Sequence, residues 1–239
     1  MAIFVLSDLH LSTDSMTDKS MEVFGARWQG YIPKIEKNWN AVVGESDTVV
    51  VPGDVSWATK LCEAESDLRF LDSLNGKKLI GKGNHDFWWT TASKLGALFE
   101  ANGIGSISLL NNNAIEVENF ILAGSRGWFT DKSMQNTNES VDYEKIVNRE
   151  TIRLGLSLEA ASKLSDSTGK EMVVFLHFPP VWSDFVCQPI IELLGKYGVK
   201  RCYFGHIHGN YSQPDSFVYE NIKFSLISAD FLDFIPRIV

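Results

Sequence analysis

Lys77-Lys78-Leu79-Ile80-Gly81-Lys82-Gly83-Asn84-His85-Asp86 runs from a short β-rich segment straight into amide, imidazole and carboxylate side chains. The same junction recurs along the chain. Residues 2–7 are an apolar run that ends in Asp8-Leu9-His10, and Thr48-Val49-Val50-Val51-Pro52 ends in Gly53-Asp54. Val173–Leu176 ends at His177, and Arg201-Cys202-Tyr203-Phe204 ends at Gly205-His206-Ile207-His208. Strands covered on both faces read as continuous apolar segments. In open α/β sheets ligands bind at the carboxyl ends of such strands. The pattern therefore predicts an α/β fold with its site on the C-terminal rim.

Between these runs, apolar spacing predicts helices near residues 33–44, 61–75, 91–102, 142–165 and 186–197. Glu118-Asn119 suits a hairpin turn between 114–118 and 120–124, and Asn221 suits another between 217–221 and 223–228. Residues 125–141 read as a long polar and aromatic loop, a candidate lid. Repeats, low-complexity tracts and linkers are absent, so residues 1–239 are expected to form a single domain.

A formal net charge of −8 without a basic run disfavours dedicated nucleic-acid binding, which needs a positive surface. Three cysteines, Cys62, Cys187 and Cys202, lack paired spacing and fit a reducing cytoplasm. The apolar N-terminus has no basic flank and meets Asp8 at once, so it reads as a buried strand rather than a signal segment. No apolar run approaches the ~20 residues of a membrane span.

All five histidines fall inside the strand-end motifs. Asp8, His10, Asp54, Asn84, His177, His206 and His208 together offer imidazole nitrogens, carboxylates and an amide oxygen. That donor set suits Mn, Fe, Zn or Co and, lacking thiolates, argues against a structural zinc or iron–sulfur site. Seven ligands exceed one tetrahedral ion and suit two ions sharing a bridging carboxylate. Two such ions would keep the centre positive and favour an anionic substrate, with a shared hydroxide as nucleophile for phosphoryl displacement. His85 need not be a ligand and is the candidate general acid for the leaving alkoxide. Asp86 is the candidate to orient it, or else caps a helix starting near Phe87.

The ordered series D-x-H, G-D, G-N-H-D, H and G-H-x-H, from residue 8 to 208, resembles the calcineurin-like metallophosphoesterase superfamily. The resemblance implies a four-layer αββα sandwich of two mixed sheets between helices. It implies that Asp8, His10 and His208 hold one metal, that Asn84, His177 and His206 hold the second, and that Asp54 bridges them. It also places His85 against the phosphate and leaving group. Where the phosphoprotein phosphatases carry G-D-x-x-D-R-G, this chain reads Gly53-Asp54-Val55-Ser56-Trp57-Ala58, which points away from protein substrates and toward a small phosphodiester or phosphomonoester. The alternatives are a binding or scaffold protein on the same fold, and a nuclease.

Several aromatic residues follow the motifs closely. Trp57 and Trp88, with Trp89, Trp182, Phe87 and Phe178, are candidates for a wall against the organic part of a substrate. Arg126, flanked by Gly124 and Gly127, is a candidate phosphate contact because a planar guanidinium suits bidentate binding. Oligomeric state is not legible.

Overall fold

The structure, a computed structural model, describes residues 1–14, 20–128 and 142–239. Strands β1 (Ile3–Val5), β2 (Thr48–Val51), β3 (Lys77–Ile80) and β4 (Ile107–Leu109) run parallel in one sheet. The chain then crosses to a second sheet through β5 (Asn113–Val117), β6 (Phe120–Ser125) and β7 (Glu171–Leu176). A short ribbon follows, β8 (Val181–Trp182) with β9 (Phe185–Val186). β10 (Arg201–Phe204), β11 (Ser216–Tyr219) and β12 (Ile222–Leu226) complete the second sheet, and β13 (Arg237–Ile238) returns to pair antiparallel with β1. The sheet orders are β13-β1-β2-β3-β4 and β11-β12-β10-β7-β6-β5, both mixed.

The helices are α1 (Tyr31–Val42), α2 (Glu65–Ser73), α3 (Ala92–Ala101), α4 (Tyr143–Thr168) and α5 (Gln188–Lys196). Strand periodicity sorts the core, because successive side chains point to opposite faces. Leu122, Val173, Phe175 and Tyr203 of the second sheet join the core that contains the first sheet together with α1, α2 and α3. Their alternates Ile121, Ala123, Val174, Leu176, Cys202 and Phe204 pack with Leu154 and Leu158 of α4 and Ile190 and Ile191 of α5. The result is the expected α/β sandwich, helices outside and two sheets within.

Differences from the expected elements have local causes. The helix expected from residue 61 begins at Glu65, because the Glu63 carboxylate accepts the N–H groups of Thr59 and Lys60 and closes a turn first. α3 starts at Ala92 under a Thr91 cap, so Asp86 caps no helix. α4 runs on to Thr168, where Gly169 at φ 70° ends it. The edge strands β4 and β13 are too short to show a pattern in sequence. Lys78, in β3, buries its ammonium under α2 and donates to the carbonyls of Asp72, Leu74 and Gly76 at 3.0, 2.5 and 2.9 Å. Of the candidate lid, residues 129–141 lie outside the described residues. Among the described residues no helix is long and apolar enough to cross a membrane.

Candidate metal centre

The loops after β1, β2, β3, β7 and β10 meet at one end of the two sheets. Backbone bonds lace the first two together: Asp8 N donates to Gly53 O at 3.1 Å, His10 N to Asp54 O at 2.9 Å and Leu11 N to Val55 O at 2.9 Å. The sheets are joined at the same point, since the His206 N–H donates to the Asp8 carboxylate at 2.9 Å. Asp8, His10, Asp54 and His206 all have left-handed backbone, at φ 60°, 46°, 50° and 70°. Such a conformation costs an L-residue roughly 1–3 kcal/mol and persists only where surrounding structure enforces it. Here the strain turns each chain sharply so that its side chain points back over the strand ends. The backbones also approach very closely. A Cβ on Gly83 would overlap the Asp54 backbone nitrogen and carboxylate, and one on Gly205 would overlap the Asp8 carboxylate and the Ser7 hydroxyl.

Two sets of donor atoms result, Asp8 with His10 and His208, and Asp54 with His177 and His206. In the first, His10 Nε2 lies 3.2 Å from His208 Nε2, and His208 Nε2 lies 3.7 Å from Asp8 Oδ1. In the second, Asn84 Oδ1 stands 2.6 Å from His177 Nε2 and 2.9 Å from His206 Nδ1, and those two nitrogens are 3.3 Å apart. Ligands about 2.0–2.1 Å from a shared ion sit roughly 2.8–3.4 Å from one another, from the edge of an octahedron to that of a tetrahedron. Most of these separations match that edge, so the donors fit metal ions. Asp54 Oδ2 lies between the sets, 3.6 Å from His10 Nε2 and 3.5 Å from His177 Nε2.

Burial sets the charge states. It holds His10 and His177 well below the usual imidazole range and brings His206 down to about 3, so all three are neutral with lone pairs available. Burial also raises Asp8, and raises Asp54 well above the carboxylate range, with Asp86 and Asp8 adding repulsion at Asp54. Buried carboxylates this close to one another need cationic compensation. Burial lowers His208 too, but the hydrogen bond it gives Asp230 and the charges of Asp8 and Asp230 together outweigh it, and the group ends raised.

Asp230 is the residue that sequence reading missed. Its Oδ1 lies 2.7 Å from His208 Nδ1, and its Oδ2 accepts from Gly209 N at 3.1 Å and Tyr211 Oη at 3.0 Å. The signal was present, for Asp230 follows the β-rich run 223–228 much as Asp54 follows 48–52. Asp67 and Tyr31 add support from the helices: Asp67 accepts from Ser56 Oγ and from Thr13, and Tyr31 Oη donates to His10 O at 2.7 Å.

The structure corrects two expectations and refines a third. Asp86 does not orient the His85 ring. Its buried carboxylate accepts the backbone N–H groups of Gly83, Asp54, Val55 and Ser56 and the Trp88 indole N–H, clamping the second loop to the third. Burial still leaves its pKa pushed up to about 6. Trp88 is only 2% exposed, held in the core by that bond, and is no wall for a substrate. Trp57 does reach the site: its ring stacks on His10 at 4.8 Å and lies 4.3 Å from His85. Exposed Phe87 lies 6.3 Å from His85, its ring nearly perpendicular to the imidazole. Arg126 carries a carbonyl that accepts from His177 N and Phe178 N, while its guanidinium lies 2.9 Å from Glu150 and stacks over Trp128.

Strand-end loops that cluster aspartate, histidine and asparagine on a two-sheet sandwich form a donor set of the kind metal-dependent hydrolases use. Residues 1–210 match the calcineurin-like phosphoesterase family, and the chain belongs to it. That family membership supports metal-dependent phosphoester hydrolysis. Similar solved folds include a phosphopantetheinyl hydrolase from Mycobacterium tuberculosis, with a TM-score of 0.60 and 14% identity over 100% of this chain and 95% of that one. A Thermus thermophilus protein gives 0.58 with 10% identity over 99% and 97%. An Aquifex aeolicus protein of unknown function gives 0.51 with 16% identity over 99% and 95%. No curated protein matches.

Proposed function

We propose that this chain is a single-domain dinuclear phosphohydrolase in which Asp8, His10 and His208 would hold one divalent ion, Asn84, His177 and His206 would hold the other, and Asp54 would supply a carboxylate between the two sets. The observation that carries this reading is Asp54 Oδ2, 3.6 Å from His10 Nε2 and 3.5 Å from His177 Nε2. Ions such as Mn, Fe or Zn would supply Lewis acidity, neutralising phosphoryl charge and lowering the pKa of water. The protein's own residues do the rest. His85 is positioned by its backbone N–H, which donates to Asp54 Oδ1 at 2.8 Å, and by the Trp57 ring. From there its imidazole gives a proton to the leaving oxygen as the ester bond breaks. Trp57 and Phe87 flank that oxygen's organic group.

A small phosphodiester or phosphomonoester in the cytoplasm fits better than protein or nucleic acid. Net charge is −8, and the cysteines of the chain are free thiols, two buried and one exposed. The test is hydrolysis of bis-p-nitrophenyl phosphate and p-nitrophenyl phosphate after chelation and re-addition of Mn, Fe, Zn or Mg. Activity should vanish on chelation and return with a transition metal. Metal uptake without cleavage of either ester would favour the scaffold reading, and salt-sensitive cleavage of DNA the nuclease.

A further inference from the structure

Beside the metal centre lies a cavity of about 230 Å³ whose lining includes Lys82, Arg126, Arg153, Glu150 and the side chains of Asn111 and Asn112. It borders the centre through the chain itself: Lys82 comes two residues before Asn84, and the Arg126 carbonyl holds the His177 and Phe178 N–H groups. Three cations meet one carboxylate here. A structural reading of the cluster would make Glu150 the reason for the arginines, since Arg126, Arg149 and Arg153 all donate to its Oε1, at 2.9, 3.3 and 2.8 Å.

That reading leaves two facts unexplained. Every donor converges on a single oxygen, and buried Oε2 has no hydrogen-bond partner. Lys82, half-buried, has no hydrogen bond or ion pair among the described residues; Arg126 and Arg153 repel its charge while Asp86 and Glu150 attract it, and burial weighs most against it. A half-buried ammonium that makes no hydrogen bond is unfavourable to the fold by itself. Asn112 spends its oxygen on Ser125 Oγ at 2.9 Å, leaving amide N–H donors. Guanidinium forks, an ammonium and amide donors together are the chemistry that binds phosphate oxygens.

We infer that this cavity binds a phosphate-sized anion, and that in catalysis it takes a second phosphoryl group of the substrate, remote from the ester cleaved. The assignment to the substrate rests on the phosphohydrolase reading; the anion site itself does not. Two measurements on the full chain separate them. Inorganic phosphate is titrated calorimetrically into wild type, Lys82→Met, Arg153→Gln and Asp8→Asn. Binding at the cavity persists in Asp8→Asn and weakens about tenfold or more in each of the other two, the loss of one charge-assisted contact. If Asp8→Asn does not fold, wild type in excess chelator replaces it. Lys82→Met also raises Tm, whereas a lysine serving the fold would lower it.

The second measurement compares p-nitrophenyl alkyl phosphodiesters ending in a phosphate or in a hydroxyl, over a series of chain lengths. The best phosphate-terminated member gains about tenfold in kcat/KM over its hydroxyl partner, and Lys82→Met abolishes the gain. Phosphate affinity equal in wild type, Lys82→Met and Arg153→Gln overturns the anion site even if bis-p-nitrophenyl phosphate is cleaved. An intact anion site with no diester hydrolysed overturns the phosphohydrolase reading and its substrate assignment, not the site. Hydrolysis without any gain along the series restricts the site to free anions and overturns the substrate role.

Discussion

His208 Nδ1 and Asp230 Oδ1 stand 2.7 Å apart, so the imidazole presents its other nitrogen, Nε2, to His10 and Asp8. A carboxylate behind a ligating histidine fixes tautomer and ring orientation, and its loss commonly weakens metal binding about 10–100-fold. Asp230→Ala is therefore expected to lower metal affinity by that factor. Tyr211 and Gly209 also lose their acceptor. Metal titration of the purified variant checks the effect directly, and activity should recover as metal is raised. Unchanged metal affinity would show that His208 needs no such support.

Asp86 gives the opposite signature. Its two oxygens take four backbone N–H groups and one indole N–H, all N–H donors. Asp86→Asn puts an amide NH2 against them, leaving buried donors unmatched. Loss of such a network should cost about 2–4 kcal/mol. For a domain of this size that is a fall in Tm of roughly 5–15 °C. A variant with wild-type Tm and depressed kcat would instead restore Asp86 to the chemistry.

Where strands end in ligands, the sequence was readable, because apolar runs and donor side chains leave separate marks in the text. Asp8, Asp54, His177 and His206 stand within a few residues of the predicted strands, Asp8 in one donor set and the other three in the second. What the text hides is direction. Asp86 and Asp8 are both buried acids near strand ends, yet the first takes only N–H groups of its own neighbourhood while the second also lies 3.7 Å from the His208 imidazole, and no spacing distinguishes them. Trp57 and Trp88 are equally illegible as a pair: the first stacks on His10, the second points into the core. Asp230 did leave a mark, a carboxylate just after the run 223–228, but nothing in the text pairs it with His208, which it meets only in the folded chain between β12 and the β13 that returns to β1.

Lys78 offers a test of the scaffold away from the site. Its ammonium ends α2 by meeting three carbonyls, and burial pulls its pKa down to about 8. The unfolded chain holds that proton up to about pH 10.4, so between the two values it binds more protons than the fold. The contribution of Lys78 to stability therefore rises with pH across that window. Lys78→Met should lose about 1–3 kcal/mol at neutral pH, because the carbonyls are left unpaired. It should also flatten the rise from neutral pH toward about pH 10. Tm measured against pH for both proteins decides it, and parallel curves would count against the assignment.

His85 is the remaining histidine, and its role separates from that of the ligands by what survives its removal. Its ring lies 5.5 Å from His10 and 4.3 Å from Trp57, and neither donor set includes it. Its backbone N–H, not its side chain, holds Asp54 Oδ1, so truncation to alanine leaves that bond in place. His85→Ala should therefore keep its metal while kcat falls about 10²–10⁴-fold, the usual worth of a general acid. The fall should be steepest for esters with poor leaving groups, which need the proton most, and shallow for p-nitrophenyl esters, which hardly need it. A leaving-group series run on both proteins tests this: the slope of log kcat against leaving-group pKa should be steeper in the variant. Equal slopes would make His85 a contact for the phosphoryl oxygens, and loss of metal would make it a ligand.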